Sequence, residues 1–105
     1  MSDVVRAVAG DVVTVEPGQT CDAYAGSNVT VNAGGYCHAD KGANVIVNFG
    51  GWCRARAGSI VTVNDGGWCR AHAGSKITIN DGAWCHAEKG ANLIIHHGPS
   101  NGDAK

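Results

Sequence analysis

Short β-branched runs recur along the chain at Val13-Thr14-Val15, Val29-Thr30-Val31, Val45-Ile46-Val47, Val61-Thr62-Val63, Ile77-Thr78-Ile79 and Leu93-Ile94-Ile95. Each stands sixteen residues after the last. Their first and third residues fall on one face of an extended chain, and the middle residue on the other, so each run predicts a strand with one apolar side. A second set lies between them: Cys21-Asp22-Ala23, Cys37-His38-Ala39, Cys53-Arg54-Ala55, Cys69-Arg70-Ala71 and Cys85-His86-Ala87. Here the shared face is small rather than large.

Three columns of the repeat never vary: the glycines at 10, 26, 42, 58, 74 and 90, the glycines at 18, 34, 50, 66, 82 and 98, and the alanines at 7, 23, 39, 55, 71 and 87. Two glycines per unit, eight residues apart, predict two chain reversals with extended chain between them. Val5 takes the cysteine position of a first unit, and six units then cover 5–20, 21–36, 37–52, 53–68, 69–84 and 85–100. The prediction is an all-β, single-domain parallel β-solenoid of six 16-residue coils with a flattened two-sheet cross-section. Stacked at about 4.8 Å per rung it is about 29 Å long. Parallel crossovers favour right-handed winding. Residues 1–4 then form an N-terminal extension, and 101–105 a polar, flexible tail after Pro99.

The Gly-x-x-Val-x-Val pattern in a short solenoid resembles the parallel β-helix superfamily, including polymer-forming bactofilins, and the Thr-bearing columns resemble those of β-solenoid ice-binding proteins. The resemblance implies architecture alone. The Cys-x-Ala and Gly-Gly-Trp elements belong to neither pattern, and no functional residue is carried across. No helix caps the ends before Val5 or after Ser100, so two outcomes are expected equally: growth through open solenoid ends, or coverage of those ends by residues 1–4 and the C-terminal tail.

Charge adds a constraint rather than a partner. Nine acidic residues against eight basic ones leave a formal net charge of -1, with neither a basic field for nucleic acid nor an acidic tract. Met1 to Arg6 show no basic segment leading into an apolar one, and no run approaches the length of a membrane span, so the expected setting is cytoplasmic with no membrane contact. Five cysteines in that setting are expected as reduced thiols. Pointing in parallel into the core, they lack the converging arrangement of a zinc site and read as small buried apolar residues. Asp65 and Asp81 at a corner are too few for calcium, and His96-His97 is a weak metal signal, so no metal or cofactor is expected. Neither a Ser-His-Asp set, a phosphate loop nor a His-Glu-x-x-His stretch occurs, which argues against an enzyme.

Candidate chemistry is left to the outward side of the cysteine strands. Three columns lie there: Tyr36-Trp52-Trp68-Trp84, then Asp22-His38-Arg54-Arg70-His86, then Tyr24-Asp40-Arg56-His72-Glu88. The third column is expected to pair within itself, Asp40 with Arg56 and His72 with Glu88. The second is not, because Arg54 falls directly beside Arg70 with histidines beyond, and the repulsion needs an anion, a tryptophan face or a neighbouring salt bridge. Tryptophans in line beside arginines have the composition of a contact surface. The expected binding residues are Tyr36, Trp52, Trp68, Trp84, His38, Arg54, Arg70, His86, Arg56 and His72. The expected partner is a protein or a second copy of this chain, then an anionic or sugar polymer. The opposite sheet carries Thr14, Thr30, Ile46, Thr62, Thr78 and Ile94 beside Glu16, Asn32, Asn48, Asn64, Asn80 and His96, and leaves ice binding as an alternative.

Overall fold

A computed structural model describes residues 3–95; His96-His97, Gly98 and the polar tail fall outside the described residues. Twelve strands follow one another: β1 (Asp3–Ala7), β2 (Val12–Val15), β3 (Gln19–Ala23), β4 (Asn28–Val31), β5 (Tyr36–Ala39), β6 (Asn44–Val47), β7 (Trp52–Ala55), β8 (Ile60–Val63), β9 (Trp68–Ala71), β10 (Lys76–Ile79), β11 (Trp84–Ala87) and β12 (Asn92–Ile95). Odd strands form one six-stranded parallel sheet in chain order and even strands form the other. Each pairing is offset by sixteen residues, as in Trp52↔Trp68, Cys53↔Cys69, Arg54↔Arg70 and Ala55↔Ala71. The chain is a β-solenoid of about six turns, with no helix among the described residues. Strand β1 begins at Asp3, which pairs with Gln19, so the first coil reaches two residues ahead of the Val5 repeat frame.

The corners follow from the invariant glycines. All eleven described members of the two columns have positive φ, from 78 to 98°. At Gly42 the reason is doubled. Its φ is +83°, and a Cβ there would lie 3.0 Å from the Ala25 Cβ of the coil before. A third column, Gly35, Gly51 and Gly67, needs smallness alone: a Cβ on Gly51 would come 2.8 Å from the Val31 carbonyl oxygen. Corner amides join the coils as the strands do, with Gly42 N–H donating to Gly58 O at 2.9 Å and Gly58 N–H to Gly74 O at 2.9 Å.

Small residues facing large ones fill the cross-section. Cys21, Cys37, Cys53 and Cys69, with the alanines two residues on, are fully buried against Val31, Val47, Val61 and Val63. At the two ends this burial weakens: Val5 and Val13 are half-buried, and Leu93 and Ile95 are 36% and 50% exposed. The five cysteines are free thiols. Flanking S–H donors favour the anion at Cys37 and Cys69, drawing each to about 5 against the opposing effect of burial. Cys21, Cys53 and Cys85 are pushed up, first by the hydrogen bonds they give to those neighbours and then by burial.

Asparagines line one corner of the second sheet. Asn48 Nδ2 donates to Asn32 Oδ1 at 3.1 Å, Asn64 Nδ2 to Asn48 Oδ1 at 2.9 Å, and Asn80 Nδ2 to Asn64 Oδ1 at 2.7 Å. The expected column position of His96 lies outside the described residues.

Candidate functional site: the aromatic and arginine face

Parallel register places Tyr36, Trp52, Trp68 and Trp84 on β5, β7, β9 and β11 at one height, one rung apart. Trp52 and Trp68 stack with centroids 5.2 Å apart and planes 7° apart; Trp68 and Trp84 follow at 5.9 Å and 2°. Tyr36 closes the column against Trp52 at 5.4 Å and 38°, and meets the His38 ring edge-on at 4.8 Å. The sequence suggests three solvent-facing indoles, but only Trp84, at 63%, is largely exposed. Trp52 and Trp68 are half-buried because each ring covers the face of the next.

Two residues along each strand, on the same side of the sheet, runs the charged column. Asp22, His38, Arg54, Arg70 and His86 are successive register partners. At its first step, unforeseen in the column reading, His38 Nδ1 lies 3.6 Å from Asp22 Oδ1. The Arg54–Arg70 juxtaposition is real, and among the described residues neither guanidinium forms an ion pair.

The third column pairs as its charges suggest. Arg56 Nε lies 3.6 Å from Asp40 Oδ1, and His72 Nδ1 lies 2.8 Å from Glu88 Oε2. A diagonal bond links the columns: Arg54 Nε–H donates to His72 Nε2 at 3.0 Å. Because that ring nitrogen accepts, Nδ1 carries the proton and donates it to the Glu88 carboxylate. Arg54, His72 and Glu88 therefore form one relay across three coils. Vertical neighbours can be read from a repeat; a diagonal depends on the reach of an arginine and has no counterpart in the sixteen-residue spacing.

The relay leaves a titratable mark. The hydrogen bond from His72 holds the Glu88 carboxyl below its ordinary range. A depressed folded-state value means that the contact stabilises the fold above the ordinary glutamate pKa of about 4.3 and is lost as pH falls through the lowered value. Carboxyl-carbon NMR should show Glu88 titrating below the ordinary value in the native chain and returning to it in His72→Ala.

No family model, curated protein or solved structure matches this chain. Its site therefore rests on its own geometry.

The second sheet offers a contrasting surface. Thr14, Thr30, Thr62 and Thr78 share a column with Ile46 and Ile94, and the parallel column holds Val12, Asn28, Asn44, Ile60, Lys76 and Asn92. Between them lies a shallow groove of about 340 Å³ lined by Val12, Asn28, Thr30, Ile46, Ile60 and Thr62 among others. Among the described residues these two columns bear a single charge, Lys76, and isoleucines break the hydroxyl row. Among the described residues no three His, Cys, Asp or Glu side chains converge on one point.

Proposed function

We propose that the protein is a non-enzymatic binding module, a rigid β-solenoid rod that docks an acidic segment of a protein partner along its Trp/Arg/His face. Trp52, Trp68 and Trp84 would supply the apolar contact. Arg54 and Arg70 would take the partner's carboxylates. One observation carries the reading: two guanidiniums held one rung apart without an ion pair, beside a stack of parallel indoles. A carboxylate placed between them would relieve the repulsion, and planar guanidinium groups suit such an acceptor. The indoles are pre-ordered by stacking, so little side-chain freedom remains to be lost on docking.

A second copy of the chain would bring arginines toward arginines unless it arrived in a staggered orientation, so the self-association reading has less support. Ice binding has less again, because Ile46 and Ile94 interrupt the hydroxyl row.

The test is a titration with a poly-glutamate peptide, followed by tryptophan fluorescence, with poly-lysine as the control. A saturable, salt-sensitive change is expected with poly-glutamate alone. Trp68→Ala/Arg70→Ala should weaken it by at least about tenfold, or roughly 1.4 kcal/mol, while the β-sheet circular dichroism persists. Undiminished binding by that variant, or an equal response to poly-lysine, would sink the proposal. Sedimentation of both proteins in the same buffer separates it from self-association through this face.

A further inference from the structure

We infer that the first coil is a built-in terminator: the side chains of Asp11 and Gln19 occupy the hydrogen-bonding positions of a preceding coil and close this end of the solenoid to stacking. Two backbone donors of the first coil are taken by side chains. In later coils the residue after the invariant alanine donates to the coil before it, as in Tyr24 N–H to Ala7 O at 2.8 Å and Asp40 N–H to Ala23 O at 2.9 Å. In the first coil the corresponding donor is Val8, and it gives its N–H to Asp11 Oδ2 at 3.0 Å. The second donor column behaves alike. Asn32 N–H bonds Val15 O at 3.0 Å and Asn48 N–H bonds Val31 O at 2.8 Å, but Glu16 N–H turns to Gln19 Oε1 at 2.9 Å.

Both capping residues break their columns. The Asp11 column continues as Ser27, Ala43, Ser59, Ser75 and Ala91, and the Gln19 column, which opens at Asp3, continues as Gly35, Gly51, Gly67, Ala83 and Pro99. The reason is spatial. Ser27, Ala43, Ser59 and Ser75 are fully buried, and the serines at 27, 59 and 75 bond a carbonyl of their own corner. A carboxylate has no room or counter-charge there. A Cβ on Gly35 would lie 2.8 Å from Val15 Cγ1 and 3.0 Å from Val15 O of the coil before. Gln19 has Asp3 as its register partner, and no described residue takes the place beneath it that Val15 takes beneath Gly35. A coil arriving in register would meet its side chain, and its carbonyls would find the Val8 and Glu16 donors already engaged.

The consequence is a rod that does not lengthen by coil stacking at its N-terminal end, which separates this chain from an end-to-end polymer.

The test uses hydrogen exchange in two arms. In the full chain, Asp11→Ser should speed exchange at Val8 N–H, and Gln19→Gly at Glu16 N–H, each by at least about tenfold relative to the native protein. Unchanged exchange would overturn the capping roles. In the second arm, a copy of residues 51–66 is placed between Ser2 and Asp3, which keeps the phase because Asp3 stands in the Gly67 column. With Asp11 and Gln19 present the added coil should exchange freely. With Asp11→Ser/Gln19→Gly it should be protected at least about tenfold more. Equal protection in both chains, or protection in neither, would overturn the inference. The six native coils, read in the same experiment, report whether each variant is folded.

Discussion

Val63→Asp is expected to abolish the cooperative thermal transition or to lower its midpoint by more than about 15 °C. Val63 is fully buried on β8, facing the alanine and cysteine columns, and among the described residues no cationic side chain is buried there to pair with a carboxylate. Burying such a charge costs several kcal/mol, against a total stability of about 5–15 kcal/mol for a domain of this size. The coil also stands between neighbours on both sides, so its loss removes the cover from two others. The neighbouring change Thr62→Asp is the control. That side chain projects from the other side of the same strand and should shift stability by no more than about 1 kcal/mol. A comparable loss in the two variants, followed by circular dichroism on heating, would contradict the assignment of inward and outward positions.

The second large effect lies at a corner. Gly42→Ala forces a Cβ into a left-handed backbone, at a cost of about 1–2 kcal/mol, and sets that Cβ 3.0 Å from the Ala25 Cβ and 3.2 Å from its Cα. Crowding of this kind adds about 1–3 kcal/mol. Gly10→Ala separates the contributions, because Gly10 has φ +86° and nothing within 4 Å of an added Cβ. The thermal midpoint should fall in both variants, about twice as far for Gly42 as for Gly10. Equal falls would mean that the close approach between coils contributes nothing, and that backbone handedness alone requires glycine.

These two positions also show why the architecture was readable in advance. Alternation about Val61-Thr62-Val63 specifies which side of the strand is buried, and paired glycines eight apart specify where the chain turns, so a fixed sixteen-residue period leaves little choice of register. Side-chain detail was less accessible. The column spacing placed Arg54 beside Arg70 and His72 beside Glu88, yet it could not supply the diagonal from Arg54 to His72, which depends on side-chain length and rotamer. Trp52 and Trp68 looked solvent-facing in the sequence, and their partial burial came from one another. The closed first coil has a sequence signal of its own. Asp11 heads a column that is otherwise Ser or Ala, and Gln19 precedes a run of Gly and Ala, departures to which a frame of six equivalent units gives no weight.

The asparagine column has an electrical consequence. Each amide from Asn48 to Asn80 donates toward the coil before it, so the group dipoles point the same way and add along the axis, at roughly 3.5 D apiece by analogy with the peptide unit. The positive pole of this side-chain dipole is at Asn32, toward the first coil. The same column there holds Glu16, an anion at the pole that favours one. The rod is thus polarised along one corner by neutral residues, independently of its near-zero net charge.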